Sequence, residues 1–220
     1  MRALLWKDYR MNRALLVVSA FVLVAPYAIG VAVQFRNAQS TGMWGGTVAA
    51  MALAAMASSL LTISLLAANA FTQERTDRSA EFLACLPPSR LSILLSKFAL
   101  AFSVAVVMWA VNLVMGLVVA PWLGDFQPSL DDPVRFLLPT SVLVFAAGWA
   151  ASTVMTSPVG AWGVATATPL ALGGLLYASW YYFGVPSEGE FGSVYSVVAI
   201  IAAIVVFAVS SVAYVRRVEP

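Results

Sequence analysis

Histidine is absent from this chain, and cysteine occurs once, at Cys85. The first absence removes His-based metal sites and any Ser–His–Asp constellation. The second removes any internal disulfide. Charge is scarce: Asp, Glu, Lys and Arg make up 10% of the 220 residues, against 61% hydrophobic. A soluble domain of this size cannot hide that much apolar surface, whereas a bilayer removes the need to. No GxxxxGK[ST] phosphate-binding loop occurs, so any ATP hydrolysis must come from another protein. Low-complexity linkers and a convincing internal repeat are lacking as well.

In their place stand six long apolar segments, at about residues 14–35, 47–71, 98–120, 136–155, 159–183 and 194–215. None contains Asp, Glu, Lys or Arg. Each meets the requirement of about 20 apolar residues to cross a hydrocarbon core about 30 Å thick. Backbone groups in lipid must satisfy one another, so these spans are expected to be helices. Barrel strands would be shorter and would alternate polar with apolar. The expected fold is an all-α polytopic membrane protein with one transmembrane domain over residues 1–220 and no separate soluble domain. The lack of an acid or base within a span argues against a secondary transporter built on buried carboxylates.

The basic residues set the orientation. With the N-terminus inside, ten of the twelve fall on the cytosolic side: Arg2, Lys7, Arg10, Arg13, Arg75, Arg78, Arg90, Lys97, Arg216 and Arg217. Only Arg36 and Arg135 fall outside. Lys and Arg near span ends decide topology, so both termini are expected in the cytosol. The first apolar run is expected to be a retained span. It is too long for a signal peptide, and Gln34, Phe35 and Arg36 follow it in place of a small-residue cleavage site.

Residues 1–13, MRALLWKDYRMNR, are too polar to span and too apolar for a free tail. On a helical wheel Arg2, Lys7, Arg10 and Arg13 share an arc with Trp6. Leu4, Leu5, Tyr9 and Met11 take the other side, interrupted by Asp8 and Asn12. This predicts an amphipathic helix in the inner headgroup layer, with Trp6, Lys7 and Arg10 as its interfacial residues. The alternative is a simple basic flank that anchors span one.

The stretch 72–97, TQERTDRSAEFLACLPPSRLSILLSK, carries the densest charge in the chain. Glu74 and Arg78 stand at i, i+4, and Arg78 and Glu81 at i, i+3, so both pairs can meet on a helix. Phe82, Leu83 and Leu86 fall on one face, and Pro87-Pro88 ends the helix. Ser89, Arg90 and Leu91 start a second segment leading into span three. A passive connector between spans needs only a few residues; this one is longer and patterned.

That order of parts resembles the small permease subunits of bacterial ABC transporters of the type-two, or type V exporter, class. The resemblance covers the whole chain in topology. It is motif-like at Glu74, Arg78, Glu81, Phe82, Leu83, Leu86, Pro87, Ser89, Arg90 and Lys97, and more weakly in LLWKDYRMNR. It implies a connecting helix at the N-terminus and a coupling helix in the loop. The ATPase-docking residues would be Glu74, Arg78, Glu81, Phe82, Leu83, Leu86, Pro87 and Arg90. It further implies a separate soluble ATPase in two copies, holding ATP and Mg, a second permease that is either another copy of this chain, forming a homodimer, or a related one, and residence in the bacterial cytoplasmic membrane. The large outer region that eukaryotic exporters of this superfamily carry between spans five and six is absent, since residues 184–192 form only a short segment. Physically, an amphipathic helix offers an apolar ridge to a partner groove, and rim charges fix its register.

Asn69 and Asn112 are the strongly polar side chains within spans. Each can line a pathway or hydrogen bond to a neighbouring helix. Trp44, Trp122, Trp180, Tyr181 and Tyr182 lie near outer span ends and read as an interfacial belt. Small residues recur four apart at Ala50, Ala54 and Ser58, at Ala147 and Ala151, at Gly148 and Ser152, and at Gly163, Ala167 and Ala171. Such faces allow close packing, either between two copies or inside one. The functional expectation is the membrane subunit of an ATP-driven exporter. The alternative is a non-transport membrane anchor or assembly factor that recruits a soluble partner through the same loop.

Overall fold

The computed structural model describes residues 2–36, 44–76, 89–123, 131–183 and 188–216. Nearly all of them are helical: α1 Arg2–Met11, α2 Arg13–Arg36, α3 Trp44–Thr76, α4 Arg90–Val114, α5 Asp131–Val154, α6 Pro158–Phe183 and α7 Glu188–Arg216. Helix α4 continues through a π-helical turn, Met115–Val119, and a last α-helical turn, Ala120–Trp122. The π turn ends two residues before Pro121, which lacks the donor that Leu117 would need in a regular helix. All six apolar segments are present as helices long and apolar enough to cross a membrane.

Helices α3 and α4 outrun their apolar segments on the side that carries the stretch 72–97. α3 continues past Phe71 to Thr76, and α4 begins at Arg90, well before Phe98. Helical hydrogen bonding does not stop where apolarity stops; it stops at a cap. Ser89 supplies that cap for α4: it is extended at φ −64° and ψ 148°, and its Oγ accepts from the Ser92 amide at 3.3 Å. The stretch 72–97 is therefore helix at both ends. Arg78, Glu81, Phe82, Leu83, Leu86 and Pro87 lie in residues 77–88, outside the described residues.

Helices α3 and α5 form the interior. Of their most apolar windows 44% and 61% are buried, against 11% for α2 and for α6. Small side chains explain the difference, because only they let backbones approach closely without a hydrophobic driving force in lipid. At Gly148 of α5 an added Cβ would stand 3.1 Å from Ala67 Cβ, 3.2 Å from Ala165 Cβ and 3.2 Å from the Ala68 amide nitrogen. The Ala147, Gly148, Ala151 and Ser152 face thus packs inside the subunit. Gly163, Ala167 and Ala171 of α6 instead face outward, and a Cβ at Gly163 would meet nothing within 4 Å. Ala50 and Ala54 of α3 are exposed as well, while Ala52, Ala55 and Ser59 point inward.

Two further cores hold the outer helices. Leu143 and Ala146 of α5 pack on Tyr195, Ala199 and Ala203 of α7. Near the other end, Trp149 is surrounded by Phe71, Phe98, Phe145 and Phe207, with ring centroids 5.0 to 6.1 Å away. Trp122, Tyr181 and Tyr182 are largely exposed at the opposite end of the bundle, as an interfacial belt requires.

Candidate functional site

At the end of the bundle where α4 begins and α3 stops, helix α1 lies against both and four ionisable side chains converge. Lys97 Nζ stands 3.0 Å from Glu74 Oε1 and 3.5 Å from Asp8 Oδ1. Lys7 Nζ meets the same Glu74 oxygen at 2.5 Å. Ser96 Oγ donates to Asp8 Oδ2 at 2.8 Å. Among the described residues, two cations here meet two anions. The side chains of Asp8, Glu74 and Lys97 are only 5–6% accessible, and that of Lys7 is 30% accessible. Lys97 also lies 5.4 Å from the Phe71 ring centroid, a cation–π contact.

Local sequence explains how each member arrives. Lys7 and Asp8 are adjacent on α1, so they lean to different neighbours, α3 and α4. Asp8 interrupts the apolar side of α1 because that side packs on α4, where Lys97 and Ser96 receive the carboxylate. Asn12 ends α1: its Nδ2 donates to the Asp8 carbonyl at 2.9 Å, which turns the chain into α2. Trp6 and Tyr9 stack at 5.6 Å on the exposed side. Arg10 is exposed.

Arg75, one residue beyond Glu74, points the other way. Its guanidinium donates to the carbonyls of Thr153 and Met155 at the C-terminus of α5. The last carbonyls of a helix generally lack intrahelical partners, and a cation there also answers the helix dipole. The last turn of α3 is therefore tied to α1 and α4 through Glu74 and to α5 through Arg75. Residues 77–88 leave from Thr76 and re-enter at Ser89, between two anchored helix ends.

The other singled-out residues fall as follows. Glu74 carries its carboxylate inside, against Lys7 and Lys97. Arg90, at the first turn of α4, is half-buried. Asn112 is fully buried and bridges three helices in mid-span: Tyr27 Oη donates to its Oδ1 at 2.8 Å, and its Nδ2 donates to Ser59 Oγ at 3.3 Å. Asn69 lies near the anchored end. Its Nδ2 donates to Asn12 Oδ1 at 3.1 Å and to Gln73 Oε1 at 2.9 Å. It borders an open groove of about 400 Å³ between the α1–α2 turn, α3 and the start of α6.

The sequence reading did not find the Asp8–Lys97 pair or the role of Ser96. The available signal was an acid on the otherwise apolar face of a short helix, which requires a buried partner.

Neither the curated proteins nor the solved structures contain a match to this chain. The family model described as ABC-2 family transporter protein matches residues 5–180, from α1 through nearly all of α6. With six apolar helices in an all-helical bundle and a match across most of its length, the chain belongs to the ABC-2 transporter family.

Proposed function

We propose that this protein is the membrane-spanning permease subunit of an ATP-driven exporter, coupled to a separate ATPase through residues 77–88. Family membership supports the permease role and the ATPase partner. The observation that carries the coupling site is the charged cluster of Lys7, Asp8, Glu74 and Lys97. It clamps both helix ends from which the loop departs and ties them to α1. A load applied to the loop by an ATPase then reaches α1, α3 and α4 together, and α5 through Arg75. In this reading Glu74 positions the loop, while Arg78, Glu81, Phe82, Leu83, Leu86, Pro87 and Arg90 supply the docking surface. The basic asymmetry supports a cytosolic loop and cytosolic termini, in the bacterial cytoplasmic membrane that the resemblance implies. The outward small-residue face of α6 suits packing against a second permease copy, with two ATPases completing the transporter and holding ATP and Mg.

Co-purification with the ATPase, followed by its hydrolysis rate with and without this chain in vesicles, tests the reading. Binding with a permease-dependent change in rate is the expected result. Binding without any change in hydrolysis points to a membrane anchor, and no binding overturns the assignment.

A further inference from the structure

We propose that the groove between the α1–α2 turn, α3 and α6 holds an anionic glycerophospholipid, with one acyl chain in the groove and the phosphate at its mouth. The inference goes beyond the transport reading, since it requires only a membrane around the bundle. The groove has a volume of about 400 Å³, within the range of about 300–1,000 Å³ typical of small-molecule sites. Its walls are apolar along Met11, Leu15, Leu65 and Trp162. The indole of Trp162 is held in place by a 2.9 Å hydrogen bond from its Nε1 to Ser64 Oγ. That wall is a fixed surface suited to an alkyl chain.

The mouth is polar and has unused capacity. Asn69 Nδ2 serves Asn12 and Gln73, which leaves Asn69 Oδ1 and Gln73 Nε2 without a partner among the described residues. Gln73 Nε2 can donate to a phosphate or glycerol-ester oxygen. Arg10 and Arg13 flank the lining residues Met11 and Ala14 in sequence; both are exposed, and neither meets an acid among the described residues. The nearby acids Asp8 and Glu74 are occupied by lysines. Two exposed guanidiniums, each one residue in sequence from a groove-lining residue and paired with no acid among the described residues, match a lipid phosphate bearing net negative charge better than a zwitterion.

The test uses the full chain in phosphatidylcholine nanodiscs. These are doped with phosphatidylglycerol carrying a diazirine on one acyl chain, or with phosphatidylcholine carrying the same label. Illumination and peptide mass spectrometry then locate the adducts. The expected result is phosphatidylglycerol labelling concentrated on residues 11–15, 65–73 and 158–162, several-fold above phosphatidylcholine. The double variant Arg10→Gln/Arg13→Gln should reduce it to the phosphatidylcholine level. Leu65→Trp, which fills the groove, should abolish labelling there with both lipids. Val159→Trp provides a second blocking variant, and circular dichroism melting shows that each variant is folded. Labelling spread evenly over the exposed faces of α2–α7 overturns the proposal. So does equal labelling by the two lipids, or groove labelling that survives both blocking variants. Chain-to-chain crosslinks at the groove without lipid adducts overturn it in favour of a second copy. No readout involves the ATPase, so failure here is distinct from failure of the transport reading.

Discussion

Glu74 and Lys97 face each other at 3.0 Å across the gap between the end of α3 and the start of α4. They are nearly the first and last residues of the stretch whose pattern resembles a permease coupling loop. Their contact closes that stretch into a loop with a fixed base. The base is buried, so its charges interact in surroundings that screen them weakly.

Removing one member should therefore hurt more than removing the pair. Lys97→Met leaves Asp8 buried beside a half-empty cluster, and breaking a buried pair in this way costs about 3–5 kcal/mol. Glu74→Gln strands Lys7 and Lys97 together. The double variant Glu74→Gln/Lys97→Met should cost clearly less than the sum of the singles, by about 0.5–3 kcal/mol of coupling. Thermal midpoints of the detergent-solubilised chain measure this. Additive losses would mean that the two groups act independently.

Much of this architecture is legible in the sequence, and the parts that are not share a cause. Hydropathy locates six spans because lipid acts on each segment separately. The amphipathic pattern of residues 1–13 locates α1 for the same reason. Asp8 reads only as a flaw in that pattern, because Lys97 and Ser96 lie almost ninety positions away. Helix α3 runs five residues past the end of its apolar segment at Phe71, because the polar run Gln73-Glu74-Arg75 marks the water boundary without ending the helix. Small-residue spacing identifies packing faces without saying what covers them. Gly148 meets α3 and α6, while a Cβ at Gly163, with the same spacing pattern, would meet nothing within 4 Å among the described residues.

That contrast makes a paired prediction. Gly148→Ala puts a methyl against a backbone nitrogen and two Ala Cβ atoms, none of which sits on a flexible side chain. Overpacking of this kind costs about 1–3 kcal/mol. Gly163→Leu has open space and should leave the melting of the single chain unchanged. If α6 is the surface for a second copy, Gly163→Leu should lower the dimer fraction measured by mass photometry. A normal dimer fraction would remove α6 from that role.

Asn112 ties α2, α3 and α4 at mid-span. Asn112→Leu strands the Tyr27 hydroxyl and frees Ser59. Interhelical hydrogen bonds in membranes average about 0.6 kcal/mol and reach about 1.7; a doubly engaged, fully buried Asn should fall toward the upper end. Tyr27→Phe removes one of the two bonds and should cost less. In the Asn112→Leu background it should cost nothing further. The measurement is again the thermal midpoint, and an Asn112→Leu variant that melts like the parent would show the bridge to be idle.

Cys85 allows orientation to be read without engineering, since the chain has no other cysteine. A membrane-impermeant maleimide should label it in inverted vesicles and leave it unlabelled in intact cells. The reverse pattern would place the loop outside, where no ATPase can reach it.

If residues 77–88 dock an ATPase, their apolar side chains Phe82, Leu83 and Leu86, rather than Glu74, should supply most of the contact. Phe82→Ala should weaken ATPase binding by about 2 kcal/mol or more, as truncation of an interface anchor does. Glu81→Arg should also weaken binding if the partner presents a cation there, because like charges at an interface repel strongly. Neither position lies in a span or in the buried cluster, so membrane abundance and melting should match the parent. Glu74→Gln should behave differently: it should lower melting first, and impair coupling only as the loop base loosens. Co-purification, permease-dependent hydrolysis and thermal midpoint, measured on all three variants, separate the two modes. If Phe82→Ala and Glu81→Arg insert, bind and couple like the parent, residues 77–88 only connect two spans. The charged cluster of Lys7, Asp8, Glu74 and Lys97 would then be a structural staple with no part in coupling.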